Sequence, residues 1–311
     1  MPMPKIVVIG GGHNGLVTAA YLAHEGYRVT ILESRHIVGG AASTSTGTFH
    51  DFKISSASYL NSLFLPEIVR DLELERHGYE FLPRSPSSFT PLPDGKGSLL
   101  LGPDMELNQA QIAQFSEHDA KMYPRYEREL GEIADWMAKM MTMIPPSGPL
   151  PRKWTDVKSM LVFAHHLLRL GLMPRRMYEL YKLVCTEPVK YLDGWFESDI
   201  LKATLLTDAL IGSTKLSGYV LLHHVMGGAG GSRGAWGYMR GGMGGISKAL
   251  AAAGRERGVE IALNEPVESI LIGKSGVGCE DHTARTGRTH RTRRQGSRRR
   301  CMGYREGCGR G

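Results

Sequence analysis

The chain has 311 residues, 41% hydrophobic and 22% charged, which is enough apolar material for a real core and excludes collagen-like, low-complexity and small disulfide-scaffold proteins. Its net charge of +7 comes from 38 basic and 31 acidic residues. Ten Arg set against Glu280, Asp281 and Glu306 between Gly278 and Gly311 account for the whole excess, so the body before them is neutral.

Residues Lys5 to Gly10 form a short β-branched run closed by glycines, the pattern of a buried parallel strand. Leu16, Ala19, Ala20 and Leu22 follow at helical spacing, and Arg28 to Leu32 predicts a second strand ending at Glu33. Together they make a βαβ unit. Within it, Gly10-x-Gly12-x-x-Gly15 opens the helix, and Glu33 lies 23 residues beyond Gly10. Gly10 allows the tight turn, Gly12 removes the Cβ that would block a pyrophosphate, and Gly15 lets helix and strand approach. The diphosphate then meets free N–H groups at the positive end of the helix dipole. A Glu33 carboxylate would accept hydrogen bonds from ribose hydroxyls and repel a 2′-phosphate, which favours FAD or NAD over NADP. The bland alternatives are a glycine-rich turn without a ligand and a solvated strand-end acid.

Further along, residues 51–104 read as irregular with short strands. From Gln111 to Ile144, Met122, Tyr126, Leu130, Ile133, Met137, Met140 and Ile144 mark one face of a long helix that Pro124 should kink or divide. A second helical block spans about Asp156 to Leu210, broken near Pro174 and Pro188. The stretch Gly227 to Gly245 holds ten glycines, so its backbone must turn repeatedly or lie close to something. A helix over Ile246 to Arg257 leads into strands at Val259 to Leu263 and Val267 to Ile272. After Val277 no Val, Leu, Ile or Phe occurs, and a segment without apolar anchors is expected to be disordered.

The segment Gly39-Gly40-Ala41-Ala42-Ser43-Thr44, just after the candidate ribose acid, resembles flavoproteins of the phytoene desaturase and amine oxidase superfamily. Ser56-Ala-Ser-Tyr59-Leu, Ser88-Phe-Thr-Pro91, Trp195-Phe-Glu-Ser198, Gly218 to Gly227 and Gly241-Gly-Met-Gly-Gly245 are similar to the phytoene dehydrogenase-related branch, over roughly residues 5 to 272. The resemblance implies an α/β fold: a Rossmann-like FAD-binding domain of the glutathione reductase type (1–90 and 240–273) with a partly helical, incomplete substrate domain (91–239). A disordered basic tail (274–311) would follow. It also implies that Gly10, Gly11, Gly12, His13, Asn14, Gly15, Glu33, Ser34, Gly39, Gly40, Ala41, Ala42 and Thr44 line FAD. Gly241, Gly242, Met243 and Gly244 would approach the flavin, and the Val267 backbone would meet the adenine. Read blandly, the Gly241 to Gly245 loop is only a flexible helix entry.

With flavin carrying the redox chemistry, the protein needs no nucleophile of its own. The implied reaction is hydride removal from a C–H bond of a small or lipophilic substrate to flavin N5, and the sequence names no catalytic residue. His223 and His224, on an expected strand near the glycine loop, are either an acid or base at the substrate or one core and one surface residue. Cys185 is expected to be a buried small apolar side chain. A second Gly-x-Gly-x-x-Gly fails at Arg233, so no separate NADPH domain is expected and electrons would pass to oxygen, a quinone or another acceptor. No Cys-x-x-Cys pair and no metal site is expected.

Met160 to Arg176 either docks peripherally on a membrane or is a buried substrate-domain helix. With no apolar run of 18 residues and a strand starting near Lys5, the expected location is cytoplasmic, with the mitochondrial matrix as the alternative the resemblance allows. No nucleic-acid contact is expected of the folded body, and the oligomeric state is open. The tail after about Lys274 departs from the family and reads as truncation or frame-shifted sequence, with an RNA-binding arm or a metal site as lesser readings. Truncation would leave FAD binding weak and turnover lost, so a noncatalytic flavin-binding or regulatory protein is the second functional reading.

Overall fold

The computed structural model describes residues 4–47, 50–95, 97–142, 154–171, 174–209, 218–229, 234, 236–273, 276–281 and 290–293. In chain order the elements are β1 (Lys5–Ile9), α1 (His13–His24), β2 (Arg28–Glu33), β3 (Thr44–Gly47), β4 (His50–Ser55), α2 (Pro66–Asp71), a 3-10 turn (Leu74–His77), β5 (Phe81–Pro83), β6 (Ser88–Pro91) and β7 (Ser98–Leu101). Then come α3 (Met105–Ala113), α4 (Glu117–Thr142), α5 (Trp154–Gly171), α6 (Pro174–Cys185), α7 (Pro188–Asp193), α8 (Asp199–Ala209) and α9 (Tyr219–Val225). The chain closes with β8 (Gly237–Met239), α10 (Gly244–Glu256), β9 (Glu260–Leu263), β10 (Val267–Gly273), β11 (Gly276–Asp281) and β12 (His290–Arg293).

The chain divides into two compact units: Met1–Ser58 with Ile68–Tyr79 and Gly241–Gly311, and Tyr59–Glu67 with Glu80–Arg240. Against the boundaries read from sequence, residues 59–67 and 80–90 join the second unit, because their main chain pairs there. Asn61 exchanges backbone hydrogen bonds with Gly237, and β5 pairs antiparallel with β8.

In the first unit β1, β2 and β9 form a parallel sheet in that order, with Lys5 opposite Arg28 and Thr30 opposite Glu260. As the middle strand, β2 is buried from Val29 through Glu33, with Val29, Ile31 and Leu32 supplying apolar side chains and the buried Thr30 hydroxyl donating to Glu260 at 3.0 Å. α1 crosses from β1 to β2 and packs on α10. Both helices bury small residues, Ala19 and Ala20 on α1 and Ala249 and Ala253 on α10.

β10, β11 and β12 form an antiparallel sheet with Ile270 opposite Cys279 and Cys279 opposite His290. This corrects the expectation of disorder for 276–281 and 290–293. Main-chain ladders satisfy the backbone there, which apolar content alone does not register. The rest of the tail, including the expected nucleic-acid and metal readings at His282, Cys301 and Cys308, lies outside the described residues.

The second unit is largely helical around one core. Tyr126 sits edge-on to Trp195 and Phe196, with ring centroids 5.6 and 5.1 Å away. Leu99, Ile112, Leu183, Leu192, Leu201 and Leu222 complete the cluster. The helix expected over 111–144 is two helices, because the Phe115 and Ser116 amides close α3 on the Ile112 carbonyl and the Ser116 hydroxyl takes the Asp119 amide to open α4. Pro124 does not divide α4. A proline there leaves the carbonyl four residues back without its helical donor, and Gln109 Nε2 donates to that Ala120 oxygen at 2.9 Å. The segment carrying His223 and His224 is helix, not strand: Gly218 caps it, and Leu221 and Leu222 are buried. Its β-branched and aromatic content imitates a strand, while packing on α4 and α8 decides the outcome. The side chains of the two histidines lie outside the described residues. Cys185, expected to be buried, is exposed.

Asp119, fully buried on α4, fastens the Trp195–Ser198 segment. Its carboxylate accepts from the Glu197 amide at 3.0 Å and the Ser198 amide at 2.8 Å, with His118 Nδ1 at 3.2 Å. This holds Trp195 and Phe196 against Tyr126. Burial alone would raise the carboxyl pKa, but the bonds from Glu197, Ser198 and His118 outweigh it and hold the group below the ordinary aspartate value. A pKa lowered by folding gives stability that is present above the unfolded value and lost as pH falls through the folded one. Urea unfolding should therefore show wild-type stability falling below about pH 4, with a flatter profile for Asp119→Asn. Asp119→Ala should lose about 3 kcal/mol, because two amides lose their acceptor. An unchanged profile in Asp119→Asn would remove this role.

Candidate dinucleotide site

The βαβ unit aims the C-terminal end of β1 and the N-terminus of α1 at one place. Gly10 turns the chain with φ +97°, and its amide bonds the Leu32 carbonyl at 2.8 Å, keeping the turn on the sheet. Gly15 faces the same turn so closely that an added Cβ would stand 2.2 Å from the Gly10 oxygen. An added Cβ at Gly12 would meet nothing within 4 Å. The backbone at Gly12 is extended, with φ −69° and ψ 167°, and no side chain caps α1. The first-turn amides of α1 at His13 and Asn14 thus point from a half-exposed helix end with no capping group.

Glu33, at the end of β2 and only 6% exposed, ties this turn to the rest of the unit. Oε2 accepts the Gly11 amide at 2.6 Å, and Oε1 accepts the Arg35 amide at 2.9 Å and the Ser34 hydroxyl at 3.3 Å. An ionised carboxylate offers about four lone-pair sites, and these three bonds leave room for one more donor. The space beside Gly11 is correspondingly filled, since a Cβ there would lie 3.1 Å from Glu33 Oε2. Beyond the acid, Glu265 N–H bonds the Glu33 carbonyl and Asn264 N–H bonds that of Arg35. Val267 begins β10 two residues later.

The second glycine segment returns to the first. Gly39 N–H bonds the Gly11 carbonyl at 2.8 Å, Gly12 and Gly39 form an isolated parallel bridge, and an added Gly40 Cβ would lie 3.3 Å from Gly12 Cα. Ala42 is buried and its carbonyl accepts from Ser247 Oγ at 2.8 Å. The Gly241–Gly244 loop docks on the same segment: Thr44 Oγ1 accepts from Gly244 N–H and Ser55 Oγ accepts from Met243 N–H, both at 2.9 Å. An added Cβ at Gly242 would stand 2.4 Å from Thr44 Oγ1. The bland reading of this loop as a flexible entry therefore does not describe it. Two helices open on glycine loops, but α10 gives its first amides to Thr44 and Ser55 whereas α1 has no side-chain cap, so of the two it is the α1 end whose amides are left for an anion.

The structure thus brings together Gly10 through Gly15, Glu33, Ser34, Gly39 to Ala42, Thr44 and Gly241 to Gly244 within one unit. Sequence reading missed three supporting side chains. Ser55 and Ser247 fasten the loop and α10, and Arg35 Nη1 holds the Gly40 carbonyl at 3.1 Å. Ser247, a polar residue on a buried helix face, carried a weak signal; Ser55 and Arg35 carried none. The metal-like trio His118, Asp119 and Glu197 lies in the other unit, where Asp119 is already engaged by two amides. Residues present at the α1 turn fit a dinucleotide diphosphate: a cradle open where a Cβ would fill it, uncapped amides, and an acid positioned for the ribose.

A model of FAD dependent oxidoreductases matches residues 5–225, and a model of flavin containing amine oxidoreductases matches residues 186–292. The curated pyridine nucleotide-disulfide oxidoreductase domain-containing protein 2 of Rattus norvegicus is 42% identical over 293 residues, covering 88% of this chain and 50% of its own. A phytoene desaturase of Fusarium fujikuroi is 38% identical over 85 residues, 27% of this chain and 15% of that protein. A solved oxidoreductase from Methanosarcina mazei shares the fold at TM-score 0.53 and 16% identity, over 92% of this chain and 57% of that one. The chain spans about half the length of the closely matching rat relative.

Gly12→Ser separates folding from binding at this turn. Serine is a good N-cap at the observed dihedrals, so the unfolding midpoint should hold or rise. The added side chain occupies the cradle, and FAD titration should show affinity reduced by at least about tenfold, or about 1.4 kcal/mol. Undiminished FAD affinity in Gly12→Ser would place the ligand elsewhere.

Proposed function

Because the chain belongs to the FAD dependent oxidoreductase family, we propose that it holds FAD on the α1 turn and oxidises a C–H bond of a small or lipophilic substrate. Flavin, when bound, would supply two-electron redox chemistry that no side chain of the protein provides. The protein's residues bind and orient. The His13 and Asn14 amides and the positive end of α1 hold the diphosphate, which needs no side-chain cation. Glu33, negative and nearly buried, uses its remaining lone pair for a ribose hydroxyl and repels a phosphate on that sugar. The Gly241–Gly244 loop, fixed by Thr44 and Ser55, presents backbone without side chains at its glycines, suited to lying against a flat ring system. The mainly helical second unit is assigned to the substrate.

The observation that carries this reading is the carboxylate of Glu33 bonded to the Gly11 amide beside an uncapped helix end. The phytoene desaturase likeness supports the finer assignment of an apolar C–H substrate. Among electron acceptors we favour oxygen or a quinone over a nicotinamide cofactor.

The test is anaerobic titration of the FAD-loaded chain with candidate lipophilic substrates. Loss of the yellow absorbance on substrate addition, and its return with oxygen or a quinone, is the expected result. Rapid bleaching by NADPH alone would overturn the acceptor assignment. FAD that binds but is reduced by no substrate would favour the noncatalytic reading.

A further inference from the structure

We propose that helices α5 and α6 form a docking face for an anionic phospholipid surface. Among the described residues of α6 the exposed ones are Met177, Tyr178, Tyr181, Val184 and Cys185, all on one face at helical spacing. Tyr178 and Tyr181 are 60% and 65% exposed. The opposite side of the same helix buries Leu183 in the core and packs Leu180 against it. An ordinary surface helix is apolar on one side and charged on the other; among its described residues α6 is apolar on both. Its Lys182 and Glu179 sit between the two sides and pair with each other.

α5 packs against α6 and continues the pattern. Trp154, Leu161 and Leu168 recur every seven residues on its exposed side, with Trp154 85% exposed. Lys158 and His165 are exposed between them. Large exposed apolar residues grouped on two packed helices mark an interaction surface more readily than single scattered ones.

Its composition and charge identify the occupant. Trp and Tyr combine an apolar ring with a polar tip and favour the level of lipid headgroups. Between residues 152 and 185 the sequence places Arg152, Lys153, Lys158, Arg169, Arg175, Arg176 and Lys182 against only Asp156 and Glu179. A basic segment carrying an aromatic face complements an anionic membrane leaflet. Among the described residues no helix is long and apolar enough to cross a membrane, so the helices would lie on the surface. The sequence expectation for Met160 to Arg176 thus extends to both helices, with Trp154 on α5 and Tyr178 and Tyr181 on α6 as the exposed aromatics.

The full chain is mixed with vesicles of equal parts phosphatidylcholine and phosphatidylserine, and with phosphatidylcholine alone, and sedimented. Binding is expected to the anionic vesicles and to weaken with salt. Tryptophan emission should shift to the blue on binding, and Trp154→Phe should remove that shift. The double variant Tyr178→Ser with Tyr181→Ser should lower the bound fraction by about tenfold with an unchanged unfolding midpoint. Phe89→Ser, which alters an exposed aromatic on β6, should bind as wild type. Three results would overturn the proposal: no binding to anionic vesicles, equal binding by the tyrosine double variant, or a dimer in solution that the double variant dissolves.

Discussion

Glu33 accepts the Gly11 amide through one carboxylate oxygen and the Arg35 amide through the other, and the geometry of the nucleotide turn depends on that pair of bonds. A carboxyl group this buried needs hydrogen bonds in place of its lost water. The two amides and the Ser34 hydroxyl supply that replacement. In return the acid fixes where β2 ends, where the β1–α1 turn lies and which way the Gly11 peptide faces. Gly39 then closes on the Gly11 carbonyl, and the Gly241–Gly244 loop closes on Thr44. Each layer of the site is built on the one before it.

Much of this was legible in the amino-acid order because the requirement is local. A glycine whose missing Cβ makes room 2.2 Å from a carbonyl and an acid at a strand end leave a pattern within one short βαβ unit. Pro174 and Pro188 marked true helix boundaries. What escaped was set by distant partners. Ser55 and Ser247 matter because residues some two hundred positions away reach them, and no local spacing records that.

The misread elements share a physical cause. Tyr219–Val225 has strand-like residue types, yet Leu222 is fully buried and packing on neighbouring helices outweighs intrinsic preference. Pro124 ought to have broken α4, but Gln109 supplies the donor that the proline lacks. Cys185 was read as core because free cysteine is usually buried, while it lies on a helix side whose apolar residues all face outward. That side is where local patterning and burial disagree most in the second unit, and it is the side assigned to a lipid surface.

The most direct measurement of the central claim is hydrogen–deuterium exchange of the chain with and without FAD. The account predicts slowed exchange concentrated at the amides of Gly11 to Asn14 and in the Gly39–Thr44 segment, and loss of that protection in Glu33→Ala. Protection by FAD that leaves Gly11 to Asn14 unchanged, or that persists in full without the Glu33 carboxylate, would contradict it.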